Sequence, residues 1–171
     1  MNEAGSASDS LLIVEDDEGL RRQYRSLETV FVAHTTEAWE FNEPDFFQVS
    51  GSGGTVASAG FLKVREIMDA RFNPARSNIY LFYASDGDNA VSDAGDARSA
   101  LAAITADTCY TGYVEVSSGV SRQLDTETGR LFAELSSAGC AAGSYALNDF
   151  DDVWGAVKHF FSAQSAEGAG A

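Results

Sequence analysis

The chain has 171 residues, enough for one domain with a sizeable core, and its hydrophobic content of 44% is typical of a folded globule. Its formal net charge of −15 argues against direct binding to nucleic acid or to an anionic membrane surface. At molar salt the Debye length falls to about 3 Å and self-repulsion largely disappears, so the composition predicts a halophilic protein of a high-salt cytoplasm. The alternative is an ordinary acidic protein.

The sequence predicts a cytoplasmic location. Cys109 and Cys140 are too few for a disulfide framework, and each is expected to be a small buried residue in a reducing compartment. No apolar run approaches the ~20 residues needed to span a bilayer. The start of the chain, residues 1–5, lacks the basic region that begins a signal peptide.

The N-terminal part of the chain predicts one short helix and three strand-like segments. Residues 1–10 are small and polar and are expected to be disordered. Residues 11–14 (Leu-Leu-Ile-Val) have strand character, and residues 20–26 carry Leu and Tyr at the four-residue spacing of a helix. Residues 29–34 predict a strand, and residues 38–41 predict its antiparallel neighbour across a turn.

The rest of the chain alternates helix and strand after a break at residues 42–45 (Asn-Glu-Pro-Asp). The predicted helices cover residues 56–71, 93–104, 125–136 and 153–161, and the predicted strands cover residues 77–84, 110–116 and 142–147. Ser92 or Asp93 is the expected cap of the helix that ends at residue 104. This alternation predicts an α/β fold, a mostly parallel sheet with helices on both faces. Residues 162–171 are expected to form a flexible tail.

Two polar loops in this pattern indicate a site for a cation. The apolar strand ending at residue 84 runs directly into Ser-Asp-Gly-Asp-Asn, and in open α/β sheets ligands bind just beyond the carboxyl ends of such strands. A glycine-rich loop upstream ends in Thr55, immediately before a helix. The Thr55 hydroxyl and the Asp86 carboxylate suit a hard cation such as Mg²⁺, with Ser52 and Asp88 as further possible ligands.

Five segments of the chain form a series of motifs: residues 20–24, 28–38, 45–47, 52–55 and 85–89. In order and spacing these motifs resemble the YeaH/YhbH family, whose members are uncharacterised proteins with a C-terminal half similar to a von Willebrand factor A (VWA) domain. The resemblance implies a VWA-like, Rossmann-like domain over residues 20–161. It also implies a metal-ion-dependent adhesion site for Mg²⁺, in which Thr55 matches the second of three loops and Asp86 the third. By the same resemblance the partners are a PrkA-type serine kinase and a SpoVR-like protein, in stress or sporulation responses.

The first loop of that metal site, Asp-x-Ser-x-Ser after the first strand, does not occur in this chain ahead of residue 34. One explanation is an N-terminally truncated member, with residues 1–19 disordered or unrelated to the family. The other is that residues 11–14 replace the first strand and bring Glu15, Asp16 or Asp17 to the metal. We favour truncation, because the right-handed crossover between parallel strands needs at least ~10–12 residues of connection.

Simpler roles compete for the same residues. The acidic turn at Asp86 is also typical of a solvated strand end, and Thr55 of a helix N-cap. His34 is expected to be a structural histidine with a hydrogen-bond partner. Phenylalanines are expected in the core: Phe31, Phe46, Phe47, Phe61 and Phe82.

No nucleophile-and-base motif is recognisable in the sequence. The sequence therefore predicts a non-enzymatic interaction domain with an incomplete, weak Mg²⁺ site. A competent Mg²⁺-dependent binding module is the alternative, and a metal-dependent hydrolase or phosphotransfer enzyme is a third and weaker possibility.

Overall fold

The structure, a computed structural model, describes residues 10–11, 28–49, 54–116, 124–148 and 152–167. In these ranges the strands are β1 (Ser10–Leu11), β2 (Phe31–His34), β3 (Ala38–Phe41), β4 (Tyr80–Ser85), β5 (Tyr110–Val116) and β6 (Ala142–Leu147). The α-helices are α1 (Glu43–Phe46), α2 (Ala57–Arg71), α3 (Ala94–Thr105), α4 (Glu127–Ser137) and α5 (Val153–Glu167). A 3₁₀ turn, Val91–Asp93, leads into α3.

The strands form one sheet in the order β3-β2-β1-β4-β5-β6. Strands β4, β5 and β6 are parallel, and the crossovers between them are the helices α3 and α4. Strands β2 and β3 form the predicted antiparallel hairpin. The α/β prediction is therefore confirmed, and the three parallel strands with their covering helices are compatible with a Rossmann-like fold. The prediction of a mostly parallel sheet is wrong, because three of the five pairings between the described strands are antiparallel.

Strand β1 lies between β2 and β4 and is antiparallel to both. Ser10 is opposite Ala33 on one side and Ala84 on the other, and Leu11 is opposite Val32. Because β1 is antiparallel to both of its neighbours, β2 and β4 run in the same direction. Of the strand predicted over residues 11–14, the described part is Leu11, which lies in β1, and residues 12–14 lie outside the described residues.

The two faces of the sheet have separate cores, as strand geometry requires. Successive side chains of a strand point to opposite faces, so Tyr83 packs in the core formed with α2, α3 and α4, whereas Phe82 packs against Phe160 of α5. On the second face, Phe46 of α1 also covers Phe31 of β2, with ring centroids 5.1 Å apart. Helices therefore contact both faces.

The larger core is built around a group of stacked aromatic rings. Phe132 is fully buried and lies parallel to Tyr113, with centroids 4.8 Å apart and an interplanar angle of 20°. Tyr83 and Phe61 complete the group, and both are fully buried. Such ring pairs add roughly 0.5–1.5 kcal/mol each beyond the area that they bury. The group therefore fixes β4 and β5 firmly against α2 and α4.

Some boundaries and burial predictions differ from the sequence analysis. The helix α1 was not predicted, and α5 continues to Glu167, into the segment assigned to the tail. Phe47 is 66% exposed and Cys109 is also exposed, so the prediction that each is buried is wrong. Phe47 follows directly after α1, and its neighbour Phe46 takes the buried position against Phe31. The predicted helix over residues 20–26 lies outside the described residues.

Candidate functional site

The loops that carry the two predicted metal ligands lie side by side at the carboxyl end of β4. The Ala90 N–H donates to the Thr55 carbonyl at 3.1 Å. The Ala57 N–H, at the start of α2, donates to the Asn89 side-chain oxygen at 3.0 Å. These two bonds join the loop before α2 to the loop after β4. The structure therefore brings Thr55 and the Asp86 loop to one edge of the sheet, as the sequence predicts.

The loop after β4 is a compact turn that presents carboxylates to solvent. Ser85 Oγ accepts from the Gly87 N–H at 3.1 Å, and Asp86 Oδ1 accepts from the Asp88 N–H at 3.1 Å. Gly87 has a φ of 94°, a region in which side chains are disfavoured. Both aspartates are exposed. The second bond is an Asx turn that holds the Asp86 side chain over its own loop.

A buried carboxylate fixes the start of α2 next to this turn. The Asp93 side chain is 6% exposed and accepts from the Ser58 N–H at 3.0 Å and from the Ser58 hydroxyl. Asp93 was predicted to cap α3. It does occupy the N-cap position of α3, but its side chain makes no capping bond there and instead binds the first turn of α2. A carboxylate at a helix N-terminus is favourable because of the helix dipole.

Glu115, at the end of β5, is a second buried carboxyl group and was not identified from the sequence. It is 1% exposed. It accepts from the Leu124 N–H at 2.7 Å, from Thr126 Oγ1 at 2.6 Å and from the Tyr113 hydroxyl at 3.1 Å. Burial raises the pKa of Tyr113, so its phenol stays protonated and remains able to donate. The alternation of side chains along β5 could have indicated that Glu115 is buried, since it places Glu115 on the core face with Tyr113.

His34 is structural, as predicted. It is 1% exposed, and its Nε2 lies 3.0 Å from the Tyr83 hydroxyl. Burial lowers the pKa of His34, against smaller raising effects from the Thr35 and Val56 backbone and from Asp93. The imidazole is therefore neutral near pH 7. The Tyr83 hydroxyl can donate to Nε2 or accept from it, whereas the Thr35 carbonyl, 3.4 Å from Nδ1, can only accept.

The described residues offer the kind of oxygen ligand that a hard cation prefers, but they offer only a few of them. Thr55 and Asp86 offer a hydroxyl and a carboxylate oxygen, the ligands that Mg²⁺ prefers. Within the described ranges, no three His, Cys, Asp or Glu side chains are grouped so as to hold a metal ion. The other candidates, Ser52 and Asp16, lie outside the described residues, as do Glu15 and Asp17. A cation held by these donors would keep most of its water ligands.

The fold and the paired loops define an α/β domain with a candidate binding edge at the carboxyl ends of its parallel strands. Residues 18–164 match the model of a family described as "Protein of unknown function (DUF444)", and the chain belongs to this family. Where the structure describes the chain, no helix is both long enough and apolar enough to cross a bilayer.

Curated relatives carry the name UPF0229 protein. One from Halalkalibacterium halodurans is 34% identical over 145 residues, covering 85% of this chain and 36% of that protein. One from Ruminiclostridium cellulolyticum is 35% identical over 146 residues, and one from Oceanobacillus iheyensis is 36% identical over 145 residues; each match covers 85% of this chain and 36% of the relative. The chain thus spans little more than a third of the length of these relatives.

Proposed function

We propose that this chain is a cytoplasmic, non-enzymatic protein-interaction domain of the VWA type. Its binding edge is the carboxyl end of the sheet. There Thr55 and Asp86 would hold a largely hydrated Mg²⁺ ion weakly, and an acidic side chain of a protein partner would bind at the same place. When bound, the ion would supply positive charge at this edge of the sheet.

The observation that carries the proposal is the joining of the two loops. Separate segments of the chain, one before α2 and one after β4, are connected by the bonds from Ala90 to Thr55 and from Ala57 to Asn89. The proposed assignment to the VWA type rests on the family resemblance together with the strand order, which is β3-β2-β1-β4-β5-β6. Together these features support a hydroxyl and a carboxylate acting on one ligand.

The charge of the domain explains why a cation would be needed. With a net charge of −15 and with Asp86 and Asp88 exposed at the binding edge, an acidic partner group would be repelled. A divalent ion between the two carboxylates reverses the sign of that interaction. Partner binding at this edge is therefore expected to require the ion, whatever the partner is.

The partners follow only from the family resemblance. A PrkA-type serine kinase and a SpoVR-like protein, acting in stress or sporulation responses, are the proposed partners of the whole family protein. Because this chain covers about 36% of its relatives, other parts of such proteins can contribute to the same interactions. The proposal for this chain is limited to the edge that carries Thr55 and Asp86.

A Mg²⁺ titration followed by amide chemical shifts tests the proposal. We expect saturable shifts at Asp86 to Asn89 with a dissociation constant of about a millimolar or weaker, an order of magnitude set by the small number of protein ligands. Asp86→Asn should abolish them. Glu66→Gln is the matched control, since it removes the same charge from an exposed position nine residues along α2 from Ala57, about 13 Å away.

The outcomes of this titration separate the alternatives. Shifts that are absent in the wild-type chain, or that survive Asp86→Asn, contradict the proposed site. Micromolar affinity favours the competent module completed by Glu15, Asp16 or Asp17 instead. Strand β1 gives that alternative no support, because it runs away from the binding edge at Leu11.

A further inference from the structure

Glu115 connects two elements that are separate in the sequence. It lies at the end of β5, and two of its three donors, the Leu124 N–H and the Thr126 hydroxyl, come from the segment before α4. The third donor is Tyr113, two residues earlier on the same strand. The carboxyl group therefore ties the start of α4 to the end of β5 from inside the core.

The segment tied by Glu115 in turn contacts the turn that carries Asp86. The Thr128 N–H donates to the Gly87 carbonyl at 3.2 Å. A Cβ atom built on Gly87 would lie 2.5 Å from Thr126 Cγ2, so the Thr126 side chain is packed directly against this glycine. A second route passes through Tyr113, whose hydroxyl lies 3.4 Å from Ser85 Oγ, the atom that accepts from Gly87.

We propose that Glu115 is a positioning residue, which holds Thr126 against Gly87 and thereby fixes the turn that presents Asp86. It does not touch the ligand. The step from a fixed turn to cation affinity rests on the proposed function, whereas the step from Glu115 to a fixed turn does not.

A carboxyl group suits this role because it offers acceptor oxygens and no obligatory donor. One oxygen serves the Leu124 N–H, and the other serves Thr126 and Tyr113 together. An apolar side chain of similar length would leave the Leu124 N–H and two hydroxyls without this acceptor. Loss of the acceptor should therefore loosen the segment before α4, and the turn at Gly87 with it.

Amide hydrogen exchange at Gly87, Asp88 and Thr128 tests the inference without any ligand, since none of these amides bonds to Glu115 itself. We expect Glu115→Met to speed their exchange by about tenfold or more. In this variant the amides would exchange through a local opening of the segment before α4 rather than through global unfolding. Ile104→Val, a change in a fully buried position of α3, is the control for general loss of stability. It should leave the ratio of these rates to those in β5 unchanged.

Two substitutions of Thr126 give a second comparison. Thr126→Val removes the hydroxyl that donates to Glu115, and also the oxygen that accepts from Gly129 at the start of α4. Thr126→Ser keeps that hydroxyl. The valine variant should behave like Glu115→Met and the serine variant like the wild-type chain. Because the valine change also removes the cap of α4, the pair supports the inference only together with a change at position 115. If Glu115→Met does not fold, Glu115→Gln, which loses one of the two acceptor oxygens, takes its place and should speed the exchange of the same three amides.

The inference is overturned if Glu115→Met leaves the three amides exchanging at the wild-type rate, or if Ile104→Val accelerates them relative to β5 by the same factor. A Mg²⁺ titration of the same variants separates this result from the proposed function. We expect Glu115→Met to weaken Mg²⁺ binding by about fivefold or more, as for other residues that orient ligands without touching the ion. If the wild-type chain binds no Mg²⁺, the proposed function fails, and the exchange rates still decide the role of Glu115.

Discussion

Replacing Gly60 with alanine tests how tightly α2 packs on the buried histidine. A Cβ atom at Gly60 would lie 2.7 Å from His34 Cδ2 and 3.1 Å from His34 Cγ. The imidazole has little room to withdraw, because it is 1% exposed and its Nε2 is bonded to Tyr83. The ring also stacks on Tyr83, with centroids 5.6 Å apart. The added methyl group must therefore displace either α2 or the histidine.

The expected loss is the difference between two opposing effects. Alanine in a helix interior is favoured over glycine by roughly 0.5–1 kcal/mol. Overpacking of a well-filled core costs roughly 1–3 kcal/mol. We expect the second effect to dominate at Gly60, with a net loss of about 1–2 kcal/mol, which corresponds to a fall in Tm of about 2–8 °C for a domain of this size.

Urea unfolding of four variants measures this balance. Gly95→Ala is the matched control, because nothing lies within 4 Å of the added atom in α3, and it should raise stability. In a His34→Ala background the clash is absent, so Gly60→Ala should become neutral or stabilising. The double-mutant cycle should thus show a coupling of about 1–3 kcal/mol. An increase in stability from Gly60→Ala alone, or the same effect in both backgrounds, would refute this account of the packing.

Two further predictions concern pH and salt. Burial lowers the pKa of His34, so the folded state binds a proton on this side chain less well than the unfolded state does. The contribution of His34 to stability should therefore be constant above the ordinary histidine pKa of about 6.5 and should decline below that pH. Urea unfolding at about pH 7.5 and about pH 5.5 should show this decline, and His34→Gln should reduce it. With a net charge of −15, the domain should have a higher Tm in ~2 M KCl than in dilute buffer. An equal or lower Tm in salt would count against the halophilic interpretation.

The strands that could be predicted well are runs with little or no charge. The predicted bounds of β5 and of the edge strand β6 match the structure, because each is an uncharged or nearly uncharged run. Both pair in parallel as the alternation with helices suggests. The position of Asp86 follows from the alternation, since ligand loops lie beyond the carboxyl ends of parallel strands. Thr55 follows no parallel strand, and the hydrogen bond from the Ala90 N–H to its carbonyl, which brings it to the same edge, is a tertiary contact.

The short helix α1 was missed because its proline was interpreted as a break. Pro44 stands in the first turn of α1, where the missing N–H costs nothing and the fixed φ favours a helix. Asn42 supplies the cap, accepting from the Asp45 N–H at 3.0 Å. The segment Asn-Glu-Pro-Asp thus has the features of a helix start. With only four residues, α1 is too short for the helical repeat of apolar residues to be recognised.

Glu115 was missed for a different reason, which lies in the tertiary structure. Its donors Leu124 and Thr126 are nine and eleven residues further along the chain. The alternation of β5 places Glu115 on the core face, but it does not indicate that a carboxyl group there will find these distant partners, and charged residues at strand ends usually face solvent. A buried position with three donors is visible only once α4 is packed against β5.

The direction of β1 bears on the prediction of truncation. We favoured truncation because a first strand parallel to β2 needs a long right-handed crossover. In the structure β1 is antiparallel to both β2 and β4, and antiparallel neighbours have no such requirement. The same reversal has a consequence for the site. In a VWA domain the Asp-x-Ser-x-Ser loop follows the first strand at the carboxyl edge of the sheet, but here Ser10 lies nearest that edge and the chain runs from it toward the opposite edge at Leu11. Because Ser10, the first of the two described residues of β1, is the one paired beside the end of β4, the direction of β1 gives no support to a ligand loop after it at the Asp86 edge. We expect the cation site to be weak because the family pattern supplies only Thr55 and Asp86 to it.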